Sequence, residues 1–552
     1  MTEYVPSPRK VLRVAGLLGL LLLFIYGASL SNGFVDWDDG LLIVENPIVH
    51  EFSFASVKEA FTTYDPELYI PLTLVSYQLT DLIAGMDPFL FHLGNLLLHI
   101  LNAALVAWFA YLLTGKQWIA AVTSLLFAVH PLHTEAVAWA SARKDVLSLF
   151  FFLLTLNAYL VFRCTKHRVW YRCSVLMLLL SLLSKVSAIA TPLVLLLLDW
   201  REGRKIDREA LLEKVPFFFL SFIFGVVALG GKSGNDHLLF AKVLIGSKAI
   251  VFYLQKLLFP TGLSVLYPFT EPISLHNIHL LIPFLVVMIL SLLAWRLRTK
   301  NRNILFGWLF FLFTVLPSFS NFAKGLDTPS DIYFASDRYA YMPSVGLLFL
   351  AALLFHHLLS IRPKLVQGLV AATIVLFAFQ AHAQSLVWKN SELLFTHVLA
   401  YYPNSHVAYN NLGSLRYRAG EREEALEYYR KSLAIRPNGM AYYNLGQYFT
   451  EVHETEKARE AYRQALIYRP MDVKTLLNFA AMEIGTGEYQ SAIHHLLRAK
   501  EIDDSLSALY YNLGVAYGKL GKREEALASL RRALEMTPGD EEVQELVGKL
   551  EL

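Results

Sequence analysis

The 552-residue chain is 55% apolar and only 17% charged, with a formal net charge of +3 and two cysteines. Soluble domains carry roughly 25% charged residues, so an ordinary soluble protein is excluded. So are a disulfide framework beyond one Cys164–Cys173 pair and a metal site built on CxxC spacing. Nothing in the chain suggests nucleic-acid binding.

The apolar excess is uneven. Runs such as Val14–Ile25, Leu147–Leu160, Val175–Leu183 and Leu193–Leu198 crowd the first 385 residues, and no such run follows the break near Ala383. A helix needs about 20 apolar residues to cross a bilayer, within roughly 17–25. Candidate spans are 11–30, 91–113, 117–131, 146–163, 172–185, 187–199, 215–230, 276–295, 303–320, 343–361 and 365–383. The first follows Arg9, Lys10 and Arg13, as in a secretory signal, and Gly27-Ala28-Ser29 offers a small-x-small site. Its apolar run reaches Leu30, longer than a signal core, and it reads as a retained span. Segment 243–259 is apolar but contains Lys248 and Lys256 and ends at Pro260. Lys and Arg in short loops mark the cytoplasmic side. The five basic clusters (at 9–13, 163–172, 201–208, 296–302 and 362–364) share one side only if 243–259 does not cross. It is therefore expected to be interfacial or re-entrant. About eleven spans remain, and the C-terminal region and the long loop 31–90 are expected to face the extracytoplasmic side.

Three clusters of ionisable residues fall on that side. The first loop carries Asp36-Trp37-Asp38-Asp39. Closely spaced carboxylates can supply a general base, because like charges push one pKa up. They can equally hold a divalent cation through oxygen. The second cluster is His130-Pro131-Leu132-His133-Thr134-Glu135, followed by Arg143-Lys144-Asp145. His130, His133 and Glu135 have spacing suited to a metal, to an acceptor, or to orienting the aspartates. Arg143 and Lys144 break the charge rule on this side, which points to an anionic ligand such as a phosphate. The third is Asp337-Arg338-Tyr339, with Arg338 a second phosphate candidate. Lys185, between two short spans, is a further cation at membrane depth, where charges are costly and usually functional. His92 and His99, seven apart with Asn95 between, read as partners for backbone groups.

The last quarter is periodic. Ala425 recurs as Ala458, Ala492 and Ala526, and Pro403 as Pro437, Pro470 and Pro538, with Asp504 at the missing step. Asn411-Leu412-Gly413 returns at 444–446 and 512–514, and as Asn478-Phe479-Ala480. These steps of 33 or 34 residues are the tetratricopeptide period. Four helix–turn–helix repeats with a polar cap form a short superhelix. Its concave face suits an extended peptide or a partner protein. The expected organisation is all-α: 1–385 polytopic membrane domain, 386–406 linker helix, 407–552 tetratricopeptide α-solenoid.

Several of these motifs carry a resemblance. Phe34-Val35-Asp36-Trp37-Asp38-Asp39 with Asn46-Pro47, then Phe91-His92 with Asn95 and His99, then His130-Pro131 through Val137 to Arg143-Lys144-Asp145 form one set. Pro260-Thr261-Gly262-Leu263-Ser264 with Tyr267-Pro268, and Asp337-Arg338-Tyr339 with Tyr341 and Pro343-Ser344, form another. Together with the repeats they resemble the transmembrane-and-tetratricopeptide O-mannosyltransferase family over nearly the whole chain. The resemblance implies a C-type glycosyltransferase fold with its active site in the first outer loop. It implies an inverting transfer of mannose or another hexose from a polyprenyl-phosphate carrier to Ser or Thr hydroxyls, the acceptor protein being recruited by the repeats. By that resemblance Asp38 or Asp39 takes the hydroxyl proton. Glu135 and His133 shape the acceptor side, and Arg143 and Arg338 stabilise the departing phosphate. With only four repeats, short inter-span loops and few cysteines, the chain looks like a bacterial, inner-membrane relative.

Two other readings compete. A polysaccharide polymerase or O-antigen-ligase-like enzyme is expected to use Arg and His in a large later loop, whereas here the carboxylates come early. A membrane-anchored scaffold leaves the ionisable clusters without a purpose.

Overall fold

The computed structural model describes residues 8–64, 68–230, 239–321 and 332–551. The chain divides into two compact units, Met1–Lys324 with Ile332–His397 and Val398–Leu552.

The first unit is helical, and its helices run α1 (Pro8–Tyr26), α2 (Phe54–Thr62), α3 (Pro71–Ala84), α4 (Pro88–Thr114), α5 (Gln117–Val129), α6 (Thr134–Ala138), α7 (Arg143–Thr165) and α8 (Arg168–Ser184). They continue as α9 (Thr191–Arg201), α10 (Arg208–Gly230), α11 (Leu239–Leu258), α12 (Ile278–Leu297), α13 (Arg302–Val315), α14 (Ser344–Leu359), α15 (Pro363–Val387) and α16 (Ser391–Tyr401), of which the residues from Val398 belong to the second unit. Local chemistry sets several boundaries. Asp87 caps α4 by accepting from Phe89 N–H at 3.0 Å, Pro88 pre-sets the first turn, and Gly115 ends the helix in the left-handed region at φ 66°. Between α8 and α9 the chain leaves helical geometry at Lys185, which is extended, before a 3₁₀ turn over Val186–Ala190. At that break Lys185 meets Asp145 and lines a pocket.

Seven helices among the described residues are long and apolar enough to cross a membrane, and the protein is an integral membrane protein. Helices α5, α8, α9 and α14, which the sequence count of eleven includes, have 13, 17, 11 and 16 residues. They lie at or below the lower end of the ~17–25 residues a span needs. Helix α11 has the length, at 20 residues, but carries Lys242, Lys248 and Lys256. Its apolar side chains Leu244, Ile245, Ala249, Tyr253 and Leu257 are buried. Burial separates centre from periphery: the apolar stretch that contains α7 is 78% buried, that of α12 only 11%. The Leu, Ile and Met side chains of α12 that face outward suit lipid tails, not water.

Helices α13 and α14 cross at Gly307 and Gly346. A Cβ on Gly346 would stand 2.6 Å from Gly307 O, and one on Gly307 would stand 2.8 Å from Gly346 O. Small residues at a crossing let backbones approach, the usual device of packed membrane helices.

In the second unit the helices pair as α17 (His406–Arg418) with α18 (Arg422–Ile435), α19 (Gly439–Glu451) with α20 (Thr455–Tyr468), α21 (Val473–Gly485) with α22 (Tyr489–Ile502), and α23 (Ser507–Lys519) with α24 (Arg523–Met536). The recurring alanines 425, 458, 492 and 526 are fully buried, and Pro437, Pro470 and Pro538 fall between successive helices. Helix α25 (Glu541–Glu551) covers the last pair through Val543, which is fully buried.

Gly346→Val is expected to force α13 from α14 and destabilise the chain by about 1–3 kcal/mol or more. Gly16→Ala in α1, where nothing lies within 4 Å, is expected to be neutral. Thermal unfolding of the two full-length variants in detergent checks the pair.

Candidate functional site

The two neighbouring aspartates of the first loop have opposite environments. Asp39 is fully buried. Its Oδ1 accepts from Ser141 N–H at 2.9 Å and from the Ser141 hydroxyl at 2.5 Å, and its Oδ2 accepts from Val35 N–H at 2.9 Å. Burial pushes the Asp39 carboxyl up to about 6, although these donors and the nearby Asp38 pull in opposite directions. The Asp38 side chain is 38% exposed, and Lys144 Nζ lies 4.0 Å from its Oδ2. Of the two carboxylates, Asp38 is the one a ligand can reach.

Ser141 and Lys144 sit on a turn that other buried groups shape. Asn95 on α4 donates to Trp139 O at 2.8 Å and accepts from Arg143 Nε at 3.1 Å. Tyr77 on α3 donates to Ala140 O at 3.2 Å. Lys144 Nζ donates back to Ser141 O at 2.9 Å and lies 5.0 Å from the Trp139 ring centre. The sequence reading groups Arg143 with Arg338 as phosphate clamps; the structure separates them. Arg143 donates to Phe91 O at 2.8 Å, Ser76 O at 3.1 Å and Thr80 Oγ1 at 2.7 Å, and rests over Tyr77 and Phe91. It fastens α3 and α4 to the start of α7.

Arg338 reaches the site from the turn Asp337–Ala340. Its backbone N–H donates to Glu135 Oε2 at 3.0 Å, and its guanidinium pairs with Glu135 Oε1. The same guanidinium lies over Trp139 and Tyr339, at 5.0 and 4.9 Å. Its Nε is buried without a hydrogen-bond partner. Beneath it, Tyr267 donates to Asp337 Oδ1 and accepts from Ser264 N–H, both at 2.7 Å. Two short strands, β1 (Pro268–Phe269) and β2 (Ile332–Tyr333), pair antiparallel beside this contact. The Pro260–Pro268 motif thus holds the Asp-Arg-Tyr turn. Burial, with Glu135 nearby, pushes the Asp337 carboxyl well up.

Lys185 Nζ meets Asp145 Oδ1 at 2.5 Å, while Asp145 Oδ2 is buried and unpartnered. Asp145, Lys185, Arg338 and Tyr339 line one pocket that opens to the outside. Leu68, Ile70, Phe224, Val227, Pro317 and Met342 supply apolar lining, with Ser187, Thr314 and Ser318 among them. Lys144 lies 4.0 Å from Asp38 and shares the Trp139 ring with Arg338, so residues of the three sequence clusters meet in one place.

Three of the marked histidines, His130, His133 and His99, are hydrogen-bonded within the protein. His130 accepts from Leu132 N–H at 3.2 Å through Nδ1 and meets Leu257 O at 3.1 Å through Nε2. His133 meets Phe127 O at 2.8 Å and Ser344 Oγ at 2.9 Å. His99 bonds Tyr341 and Ala128 O. No group of three His, Cys, Asp or Glu among the described residues is placed to hold a metal ion.

The sequence reading missed Ser141, Trp139 and the role of Tyr267. Only Tyr267 lay in a motif it had marked.

The repeat segment matches the tetratricopeptide repeat model over residues 404–466 and 472–538. Human protein O-mannosyl-transferase TMTC1 is 27% identical over 503 residues, covering 77% of this chain and 55% of that protein. Protein O-mannosyl-transferase F38B6.6 of Caenorhabditis elegans is 24% identical over 482 residues, covering 78% of this chain and 65% of that protein. The chain's curated homologues are protein O-mannosyl-transferases. Tmtc3 of Drosophila melanogaster, also so named, is 27% identical and covers 66% of this chain and 48% of its own. The chain thus spans about half to two thirds of the length of the curated relatives it matches.

Asp39 makes stability depend on pH in a defined direction. With a folded value near 6 against an ordinary 3.8, the folded state keeps a proton that the unfolded state releases. Stability is expected to fall as pH rises from about 4 through 6, by roughly 3 kcal/mol in total. Asp39→Asn removes this titration, so its unfolding temperature is expected to vary less with pH than that of wild type between pH 4.5 and 7.

Proposed function

We propose that the chain moves a hexose, with mannose the first candidate, from a polyprenyl-phosphate carrier to Ser or Thr hydroxyls of proteins. The observation that carries this reading is the mostly apolar pocket that Lys185 and Arg338 line, joined to the exposed Asp38 through Lys144, which shares the Trp139 ring with Arg338 and lies 4.0 Å from Asp38. An anionic head on an apolar chain matches that lining. The names of the homologues support the sugar and the protein acceptor.

In this reaction Asp38 accepts the hydroxyl proton while the acceptor oxygen attacks the anomeric carbon from the face opposite the phosphate. The bond from that carbon to the phosphate oxygen breaks, the configuration inverts, and the lipid phosphate leaves with the electron pair. Arg338 and Lys185, with Lys144 beside Asp38, offset the charge that grows on the leaving phosphate. Glu135 and Asp145 hold the two cations in position, and Trp139 supports Arg338 from below. Arg143 and the histidines act further out, by fixing the turns that carry these groups. In this reading the repeats recruit the acceptor, the clustering of basic loops on one side supports an extracytoplasmic site and repeats, and undecaprenyl phosphate is the bacterial carrier.

A positioned general base contributes about 10²–10⁴ in rate. Asp38→Asn, folded and at normal abundance, is expected to lose hexose on Ser and Thr peptides of envelope proteins, read by mass spectrometry. Lys185→Ala and Arg338→Ala are expected to lose most of it. Unchanged modification in Asp38→Asn sinks the assignment of the base.

A further inference from the structure

The acidic loop is also held from a side that the reaction above does not use. Gly33 N–H donates to Lys389 O at 3.0 Å. Asp36 N–H donates to Ser391 Oγ at 2.8 Å, and the Ser391 hydroxyl donates to Asp36 Oδ2 at 3.0 Å. The Trp37 ring meets Phe395 edge-on at 6.2 Å. These partners lie in the junction between α15 and α16 and in the first turns of α16. Trp388, from the same junction, is buried and stacks on Trp139 at 5.5 Å with 23° between the rings. Trp139 is the ring over which Lys144 and Arg338 both lie.

One hydroxyl that accepts from a backbone N–H and donates to the carboxylate of the same residue closes a small ring. That ring fixes the backbone at Asp36, and Asp38 follows two residues on. A bond to a charged partner is stronger than a neutral one. The Trp388 stack acts on the other half of the site, through the indole that supports the cations. Carboxylate and cations are therefore held by the same stretch of chain, Trp388–Phe395, more than 350 residues from the acidic loop.

We propose that Ser391 and Trp388 are positioning residues for the transfer, Ser391 aiming the loop that carries Asp38 and Trp388 seating the ring beneath Arg338 and Lys144. The proposal rests on the transferase reading for its effect on rate, and on geometry alone for its effect on the loop. Helix α16 continues to Tyr401, so the chain that leads into the repeats begins at the residue that holds Asp36.

Hydrogen–deuterium exchange of the full-length chain in detergent reads the loop without reference to activity. Ser391→Ala is expected to raise exchange of peptides covering residues 33–38 about tenfold, the order expected for loss of a bond to a charged group. Peptides within α7 are expected to exchange at the wild-type rate. Hexose occupancy on Ser and Thr in cells is expected to fall about tenfold. Ser391→Thr keeps the hydroxyl and is expected to restore both readouts. Trp388→Leu is expected to lower occupancy, with Trp388→Phe recovering much of it. Wild-type exchange at residues 33–38 in Ser391→Ala, or raised exchange with unchanged transfer, overturns the proposal. If the wild-type chain transfers no hexose, the transferase reading fails separately, and the exchange of Ser391→Ala against Ser391→Thr decides whether the junction holds the loop.

Discussion

The bond between Asp39 and Ser141 is the constraint on which the site depends. It joins residues 102 apart in sequence and places the acidic loop against the turn that begins α7. Because Asp38 adjoins Asp39 and Lys144 is one helical turn beyond Ser141, fixing one pair brings the other pair to 4.0 Å. A fully buried carboxylate is expensive unless donors surround it, and three donors do so here. The same cost ties the loop to that turn: leaving Ser141 would take away two of the three donors to Asp39.

Around that bond the charged groups fall into two kinds. Arg143 and Asp39 are saturated by the protein and set geometry. Asp38, Lys185 and Arg338 retain exposure, an unpartnered atom or a place on the pocket wall, and are free to respond to a ligand. Glu135 and Asp145 stand between, each balancing a cation without covering it. Such a division suits a reaction in which charge appears only on the departing group, since groups that are already oriented need no rearrangement as it develops.

Much of this was legible in the sequence, and the limits are physical. The repeats follow from a 33- or 34-residue recurrence, because each unit buries the same alanine against its neighbour. The long spans follow from apolar runs, and the lysines of α11 mark it as different from them. Lys185 is visible because a cation between two apolar runs is costly unless a counter-charge or a ligand meets it. Which of two adjacent aspartates is exposed cannot be read locally, since Ser141 decides it from another part of the chain. Arg143 and Arg338 look alike in sequence and differ only in what tertiary structure places around them: four protein acceptors in one case, a carboxylate and a pocket in the other. Helices α5, α8, α9 and α14 sit at the length where composition alone does not separate a span from a buried helix.

The most direct measurement is photo-crosslinking of the full-length chain, in lipid, with a polyprenyl phosphate that carries a photoactivatable group on its first isoprenoid unit. If the pocket holds a lipid-linked phosphate, label is expected in the peptides containing Leu68–Ile70, Phe224–Ala228 or Pro317–Ser318, and is expected to disappear in Lys185→Ala. Label spread over the outward face of α12, unchanged by Lys185→Ala, would contradict the account.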